Sequence, residues 1–297
     1  MSMPGKVLFI GIGNMGWPMA ARLVGAGFDV AVNDAIAGRA ADFVRQIGGI
    51  EAADLAVAAA QAEIIITMLP TSKHVGEAVG TLRAGLKRDH ILIDMSSGAP
   101  AATQAIAADL APLGVIMLDA PVSGGVPRAV TGELAIMAGG DTAALDRVEP
   151  VLRAMGTTIH RIGLLGSAQA MKALNNLVSA GGFLIGIEAL LIGQQFGIDP
   201  GLMTDVLNAS TGMNNSTQKK FKQFVLSRKF DSGFGLDLMV KDLSIALEVA
   251  RSGGVAVPFA SLCRELGASA QALLGRGQDH TALAKLSETL AGVKLGE

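Results

Sequence analysis

A lysine and an asparagine four residues apart, Lys172 and Asn176, have the clearest catalytic potential in this chain. The segment that leads to them, GSAQAMKALNN, is otherwise small, apolar or uncharged, and burying an ammonium group in such surroundings costs free energy. If the segment is a helix, residues at i and i+4 share a face, so both side chains could hold one substrate oxygen. The alternative is a surface lysine whose stem packs on apolar neighbours while its ammonium group reaches water.

A glycine motif near the N-terminus, GIGNMG, predicts a dinucleotide-binding site. Gly11 would allow a tight turn, Gly13 would let the backbone approach a pyrophosphate, and Gly16 would let a helix pack on a strand. Together with Asn14 and Met15, these glycines open a predicted helix whose N-terminus offers amide donors. Glycines also occur in ordinary turns, but here a strand pattern precedes the motif and a helix pattern follows it.

An acid, Asp34, ends the second predicted strand, where it would accept hydrogen bonds from the ribose hydroxyls of an adenosine. The alternative for an aspartate at such a point is a helix cap or a turn. We expect NAD or NADP as cofactor, with NAD favoured because a 2′-phosphate would meet the like charge of Asp34. Arg39, one turn further on, is a cation that could swing back toward such a phosphate.

Short apolar runs alternate with helical patterns in the first half of the chain. The runs 7–10, 30–33, 64–68, 91–95 and 115–118 are almost continuously apolar, as in a parallel sheet covered on both faces. Helical patterns lie at 15–26, 101–110 and 143–155, and we predict two further edge strands at 134–137 and 158–160. This alternation predicts an α/β Rossmann domain with a doubly wound parallel sheet over residues 1–165.

The strand pattern ends after about residue 163, and residues 166–297 are predicted to form an all-α domain. One long helix, 166–196, would be ended by Gly197 and would join the two domains. Later helices are predicted at 202–209, 216–226, 240–252 and 259–275. The polar segment 211–216 either closes over a substrate or simply connects two helices.

Two loops follow predicted strands at the edge where doubly wound sheets bind their ligands. One begins with Leu69 and Pro70, and the other contains Ser97. We expect both to line the cofactor, although each could be a simple turn or a helix cap.

A third loop, Ser123-Gly124-Gly125, exposes backbone N–H groups with little side-chain obstruction, which suits a carboxylate. A plain turn is the alternative. Arg128, three residues later, either reaches a second anionic or hydroxylated end of the substrate or is a surface arginine.

Composition argues against several classes of partner. The net charge of −2, without a long run of like charge, argues against a nucleic acid held on a basic face. A single cysteine, Cys263, excludes an internal disulfide and fits a reducing compartment, so we expect a cytoplasmic protein. The apolar stretch 177–193 approaches the length of a membrane span, but Glu188 interrupts it, and we favour a fully buried helix.

Five segments resemble the signatures of the β-hydroxyacid dehydrogenases, the family of 3-hydroxyisobutyrate dehydrogenase and tartronate semialdehyde reductase. They are FIGIGNMGWPMAARL at 9–23, DAPVSGG at 119–125, the lysine segment at 166–176, the segment from GF to KD at 233–242, and DHTAL at 279–283. They occur in the order and spacing of the family, and the resemblance covers essentially the whole chain. Because the signatures are independent of one another, it is highly specific.

The resemblance implies a role for each matching residue. Lys172 would be the catalytic acid and base with Asn176 nearby, and Ser123, Gly124 and Gly125 would bind the substrate carboxylate. Besides the glycine motif, the residues that would contact the cofactor are Leu69, Pro70, Ser97 and Lys241.

The same resemblance bears on the choice of cofactor. Asp34 matches the acidic position of members that accept NAD. Members that prefer NADP often have an arginine just after this point, where this chain has Ala35.

We interpret the chain as an NAD(P)-dependent oxidoreductase that interconverts a small 3-hydroxycarboxylate and its semialdehyde, of the 3-hydroxyisobutyrate or glycerate type. The resemblance also implies a homo-oligomer, a dimer or a tetramer.

Three alternatives share the fold. Imine reductases generally lack a lysine at the position of Lys172. The 6-phosphogluconate dehydrogenases are much longer and have a histidine where this chain has Asn175. A non-catalytic dinucleotide-binding protein would have lost Lys172.

Overall fold

The structure is a computed structural model that describes residues 5–296. The chain divides into two compact units, the first ending at Lys172 and the second beginning at Ala173. The strands are β1 (Lys6–Ile10), β2 (Asp29–Asn33), β3 (Ile50–Glu51), β4 (Ile64–Thr67), β5 (Ile91–Asp94), β6 (Ile116–Asp119), β7 (Val122–Ser123), β8 (Ala135–Gly139) and β9 (Thr158–Gly163). The helices of the first unit are α1 (Gly16–Gly25), α2 (Arg39–Ile47), α3 (Leu55–Gln61), α4 (Ser72–Leu82), α5 (Pro100–Leu110), α6 (Gly125–Thr131) and α7 (Thr142–Met155).

The second unit is helical in the residues that the structure describes. Its helices are α8 (Ser167–Gln195, which begins in the first unit), α9 (Pro200–Asn208), α10 (Asn215–Lys219), α11 (Leu236–Ser252), α12 (Pro258–Leu274) and α13 (Ala284–Ala291). A π-helical segment covers Phe221–Leu226, and a 3₁₀ turn covers His280–Leu283. The predicted all-α composition of this half is confirmed.

Six strands of the first unit form a parallel sheet in the order β3-β2-β1-β4-β5-β6. This is the strand order of doubly wound dinucleotide-binding folds, so the predicted Rossmann architecture is confirmed. Beyond β6, strand β8 pairs antiparallel with β6 and β7 and parallel with β9. The prediction of 134–137 as an edge strand is therefore wrong, because β8 has neighbours on both sides.

Alternate residues of each central strand enter two different hydrophobic cores, one on each face of the sheet. In β1, Val7 and Phe9 belong to one core, whereas Leu8 and Ile10 belong to the other. Both faces exclude water, so no position of the strand needs to be polar. This explains why the strand runs are apolar without alternation.

The long helix α8 enters the core of the second unit, where Phe183, Ile187 and Leu190 pack with Phe221 and other buried residues. By length and composition α8 could cross a membrane, but 56% of its most apolar 18-residue window is buried in the protein. Such burial is expected of the central helix of a globular core.

Glycine ends α8 as predicted from the sequence. Gly197 has a φ of +98°, and the N–H of Ile198 donates to the carbonyl of Gly193 at 2.9 Å, a C-terminal capping bond. At the other end, the boundary between the two compact units lies inside the helix, seven residues beyond the domain boundary that we predict at 165–166. The difference arises because the first turn of α8 is hydrogen-bonded to the sheet of the first unit.

Two helices of the second unit differ from the sequence prediction. The single helix predicted at 216–226 is interrupted at Lys220, whose backbone (φ −129°, ψ −42°) leaves α-helical geometry before the π segment begins. Lys241 was expected near the start of a helix, but α11 begins at Leu236. The earlier start places Lys241 and Asp242 in the second turn, where the backbone N–H groups already donate to carbonyl groups of the helix.

Candidate active site

The glycine loop between β1 and α1 has the geometry that a dinucleotide requires. Gly11 has a φ of +93°, and a Cβ at Gly16 would lie 1.9 Å from the carbonyl oxygen of Gly11, so both positions demand glycine for internal reasons. A Cβ at Gly13 would meet nothing closer than Arg39 Nη1 at 4.0 Å. The backbone at Gly13 is therefore open to a ligand. No side chain caps the N-terminus of α1, which leaves its amide donors for a pyrophosphate.

Asp34 lies at the end of β2, directly beside this loop. Its Oδ2 accepts a hydrogen bond from the Ile12 N–H at 2.9 Å, and its Oδ1 accepts one from the Ile36 N–H at 2.9 Å. Arg39 Nη1 lies 3.4 Å from Oδ1, so the two side chains form an ion pair in which Asp34 is only 8% exposed. Arg39 therefore lies beside the acid that is predicted to meet the ribose hydroxyls.

The two loops predicted to line the cofactor lie side by side at the carboxyl edge of the sheet. The N–H of Leu69 donates to Ser96 Oγ at 2.9 Å, and the N–H of Ala99 donates to Ser72 Oγ at 2.9 Å. Pro70 is exposed and Ser97 is half-buried. The residues of the glycine motif, Leu69, Pro70 and Ser97 thus belong to one edge, the one that receives ligands in this fold.

A buried acid, Asp94, stands below these loops at the end of β5. Its Oδ1 accepts hydrogen bonds from Thr67 Oγ1 at 2.9 Å and from the Ser96 N–H at 3.0 Å, and its Oδ2 accepts one from Gln169 Nε2 at 3.3 Å. Burial raises the pKa of Asp94 to about 6, against the hydrogen bonds that favour its ionised form.

A second buried acid, Asp119, holds the first turn of α8. Its two oxygens accept hydrogen bonds from the N–H groups of Gly166 at 3.0 Å and Gln169 at 2.8 Å. Burial raises the pKa of Asp119, whereas these amide donors act in the opposite direction. The side chain of Gln169 continues the network, accepting from the Gly98 N–H at 2.8 Å and donating to the Ser96 carbonyl at 2.9 Å.

The Ser123-Gly124-Gly125 segment joins β7 to α6 in a conformation that favours glycine. Gly124 and Gly125 have φ values of +133° and +68°, and both residues are exposed. Arg128 is exposed and packs its stem over Gly124, since a Cβ there would lie 2.7 Å from Arg128 Cδ. A carboxylate could approach the exposed amides of this segment with Arg128 at its side.

Asn176 is buried on α8 and is oriented by a carboxylate of α11. Its Nδ2 donates to Asp242 Oδ2 at 2.5 Å, and its Oδ1 accepts from Asn175 Nδ2 at 3.1 Å. Lys241 Nζ lies 3.3 Å from Asp242 Oδ1, so Asp242 links two of the residues that the sequence singled out. Lys172 is half-buried and lies one turn before Asn176 on the same continuous helix.

Comparisons with known proteins agree with this geometry. Residues 6–163 match the NAD-binding domain of 6-phosphogluconate dehydrogenase, and residues 166–287 match the "NAD-binding of NADP-dependent 3-hydroxyisobutyrate dehydrogenase" family. A 2-(hydroxymethyl)glutarate dehydrogenase from Eubacterium barkeri is 34% identical over 98% of this chain and 97% of its own length. A 2-hydroxy-3-oxopropionate reductase from Escherichia coli is 34% identical over 98% and 99%.

The chain belongs to the β-hydroxyacid dehydrogenase family. Its relatives are hydroxyacid dehydrogenases and reductases, and membership of this family makes the protein an NAD(P)-dependent dehydrogenase. The 3-hydroxyisobutyrate dehydrogenase of Mycobacterium tuberculosis, solved with L-serine, superposes with a TM-score of 0.86 at 32% identity and covers 97% of this chain and 99% of its own. An imine reductase from Streptomyces aurantiacus is more distant, at 21% identity and a TM-score of 0.63, which shows only a shared fold.

The sequence patterns did not identify four buried residues of this β-hydroxyacid dehydrogenase that orient the predicted site residues. These are Asp94, Asp119, Gln169 and Asp242. Asp94 and Asp119 each end an apolar strand, ILID and IMLD, and a buried acid at the end of a strand is the signal that could have marked them. Gln169 and Asp242 carry no such signal, because Gln169 contacts Asp94 75 residues away and Asp242 contacts Asn176 66 residues away. Among residues 5–296, no group of three or more His, Cys, Asp or Glu side chains could hold a metal ion.

The raised pKa of Asp94 predicts a specific pH dependence of stability. Because the folded-state pKa, about 6, exceeds the ordinary value of 3.8, the folded protein binds this proton more tightly, and stability falls as the pH rises from about 4 through 6. Asp94→Asn removes this titration, although its amide would face the Gln169 amide donor and so lower the stability overall. Since each pKa unit is worth about 1.4 kcal/mol, the variant should recover about 1–3 kcal/mol relative to wild type between pH 4 and pH 7.

Chemical denaturation across this pH range measures the difference in the free energy of unfolding. Asp231→Asn, which neutralises an exposed acid, is the matched control. A constant difference between Asp94→Asn and wild type at every pH would contradict the raised pKa.

Proposed function

We propose that this protein oxidises a small 3-hydroxycarboxylate to its semialdehyde, and catalyses the reverse reduction, with Lys172 as the acid and base. The observation that supports this best is that Lys172 and Asn176 share one face of α8, a helix whose first turn is hydrogen-bonded to the ligand-binding edge of the sheet. Hydride transfer between the substrate carbon and the nicotinamide is the chemistry that the cofactor supplies.

In this mechanism the protein positions the substrate and moves one proton. Lys172 Nζ accepts the hydroxyl proton during oxidation and returns it to the carbonyl oxygen during reduction. Asn176, with its amide held by Asp242, would orient the same oxygen. The amides of Ser123, Gly124 and Gly125 would bind the carboxylate, so that the hydroxyl on the β-carbon lies at a fixed distance from the anchored group.

The residues that would hold the cofactor are those of the open glycine loop and the adjoining loops. Gly11, Gly13, Asn14, Met15 and Gly16 would place their backbone against the pyrophosphate. The side chains and loop residues that would contact the remainder of the cofactor are Asp34, Leu69, Pro70, Ser97 and Lys241.

Replacing Lys172 should slow proton transfer without removing cofactor binding. We expect Lys172→Ala to lower kcat by about 10²-fold or more, the usual contribution of general acid–base catalysis, while the Kd for the cofactor changes little. Steady-state assays and fluorescence titration with the reduced cofactor measure the two quantities. A variant that retained near wild-type turnover would show that another group carries the proton.

A substrate panel tests the anchoring role of the carboxylate in the same assays. Glycerate, 3-hydroxyisobutyrate, 3-hydroxypropionate and 2-(hydroxymethyl)glutarate should all exceed a matched alcohol without a carboxylate, because that alcohol loses its positioning contacts. If Arg128 contacts the substrate, glycerate should exceed 3-hydroxyisobutyrate, and Arg128→Ala should reduce that preference. Equal kcat/KM for the alcohol would contradict the proposed carboxylate site.

We propose that NAD is preferred over NADP, because a 2′-phosphate would approach the carboxylate of Asp34. The adjacent guanidinium of Arg39 offsets part of that repulsion, so the preference should be moderate. Asp34→Ala should narrow the ratio of kcat/KM values for NADH and NADPH, and Arg39→Ala should widen it. Each change should be about tenfold, the value of one charge-assisted contact. A ratio that both variants leave unchanged would exclude this pair as the determinant.

We also propose that the protein forms a homo-oligomer through an apolar stripe on α8. Four exposed apolar side chains form this stripe: Val178, Ile185 and Ile192 at seven-residue intervals, and Phe196 one turn later. Phe196 is the most exposed of them, at 85%. A stripe of this kind favours contact with another apolar surface, and a second copy supplies an identical one. Ile192→Asp should shift the molecule toward a monomer of about 30 kDa in sedimentation velocity. If wild type and variant sediment alike, the stripe is not the interface.

The cytoplasm is the proposed location, because the single cysteine is buried and no disulfide can form within the chain. Cell fractionation tests this location. Recovery of the protein outside the cytoplasmic fraction would contradict it.

A further inference from the structure

Lys220 is a half-buried lysine of the second unit that the proposed mechanism does not use. It lies where the backbone leaves α10 and enters the π-helical segment Phe221–Leu226. The Val225 N–H donates to the Lys220 carbonyl at 3.3 Å, an i+5 bond, and both Phe221 and Val225 are buried. Departures of this kind from α-helical geometry often occur at functional sites. Here the departure coincides with a half-buried lysine whose charge interacts with Asp279 and His280.

The ammonium group of Lys220 reaches the helix that carries the proposed catalytic residues. Lys220 Nζ lies 3.3 Å from Ser179 Oγ, and Ser179 belongs to α8. Asn176 precedes Ser179 by three residues and Lys172 precedes it by seven, so all three occupy one face of the helix. With a rise of 1.5 Å per residue, about 10 Å of helix axis separates Lys172 from Ser179. Lys220 therefore places a cation farther along the face on which the substrate hydroxyl is proposed to bind.

No carboxylate of residues 5–296 lies within ion-pair distance of Lys220 Nζ. Asp279 acts on its charge, and the oxygens of Asp279 already accept hydrogen bonds from Ser232 Oγ and from the N–H groups of Gly233 and Thr281. Burial lowers the pKa of Lys220 to about 8, and the negative charge of Asp279 opposes this only in part. Neighbouring His280 adds no negative charge. A half-buried cation without a counter-ion is costly, and an anionic ligand would remove that cost.

We propose that Lys220 and Ser179 form a second anion site, which binds a carboxylate at the far end of the substrate and so selects 3-hydroxy dicarboxylates. This inference rests on the proposed function. The ammonium group and the serine hydroxyl can each donate a hydrogen bond to one oxygen of a carboxylate. Because the carboxylate is ionised, these hydrogen bonds are stronger than those between neutral groups. A methyl group at the far end of the substrate would leave the buried charge unpaired, which provides the discrimination.

The test compares substrates that differ by one carboxylate. 2-(Hydroxymethyl)butanoate and 2-(hydroxymethyl)succinate share a carbon skeleton in which a terminal methyl is replaced by a carboxylate, and a second pair adds one methylene. Wild type should prefer the dicarboxylate of at least one pair by about 10- to 100-fold in kcat/KM, the range expected for a hydrogen bond to a charged group. Lys220→Met should lose that preference and keep its kcat/KM for the monocarboxylate. Lys220→Arg, which keeps the charge, should retain most of the preference.

The neighbouring Lys219 provides a matched control, because it is exposed and precedes the backbone break. Lys219→Met should behave as wild type toward both substrates. Ser179→Ala, a smaller change in the same site, should reduce the preference without removing it. If wild type shows no preference, or if Lys220→Met lowers activity on both substrates equally, Lys220 is structural and the proposed site is wrong.

Calorimetry separates the failure of this site from the failure of the proposed function. Methylsuccinate and 2-methylbutanoate lack the hydroxyl and cannot react, and each is titrated into protein saturated with reduced cofactor. Lys220→Met should raise the Kd of methylsuccinate about tenfold or more and leave that of 2-methylbutanoate unchanged. If Lys220→Met raises the Kd of methylsuccinate but the wild type turns over no hydroxyacid, the anion site is retained and the proposed function is wrong. If the wild type turns over hydroxyacids but Lys220→Met leaves the Kd of methylsuccinate unchanged, only the anion site is wrong.

Discussion

The hydrogen bonds between Asp119 and the first turn of α8 are the constraint on which the candidate active site depends. Asp119 ends a central strand, and the amides of Gly166 and Gln169 meet its two oxygens, which fixes both the position and the rotation of the helix at that point. Hydrogen bonds to a charged group contribute about 1.5–3 kcal/mol each, and the positive end of the helix dipole favours the same carboxylate. Lys172 follows Gln169 by less than one turn. Its backbone is therefore held by the sheet itself, and a lysine carried on a loop would be placed less precisely.

The side chain of Gln169 extends this control to the loops above the sheet. It joins Asp94, Ser96 and Gly98 in one buried network, so the loop after β5 and the start of α8 are positioned by the same amide. An apolar core could pack these elements as tightly, but it would permit several arrangements of nearly equal energy. A satisfied polar network has one arrangement, because any displacement leaves a buried donor or acceptor without a partner. Positioning here costs some stability, as the raised pKa of Asp94 indicates.

Sequence patterns predicted the features that depend on local regularity. The apolar strands, the glycine motif and the long helix ended by Gly197 were all correctly placed, because each follows from the chemistry of a few consecutive residues. The patterns failed where a distant contact decides the outcome. Strand β7 has two residues and exists only because β8 lies beside it. The helix break at Lys220 is associated with contacts to Ser179, 41 residues away, and no local signal marks it. The roles assigned to Lys172, Ser123 and their neighbours remain predictions.

The ion pair between Arg39 and Asp34 has an evolutionary consequence. In a protein with an acid alone at the end of β2, acquiring a preference for a phosphorylated ribose would require two coordinated substitutions, one to remove the negative charge and one to introduce a cation. Here the cation already stands 3.4 Å from the acid and is held there by it. Under the proposed role of Asp34, a single neutral substitution there would remove the repulsion of a 2′-phosphate and release the guanidinium of Arg39 in one step. Under that proposed role, a change of cofactor preference would require one substitution at this position.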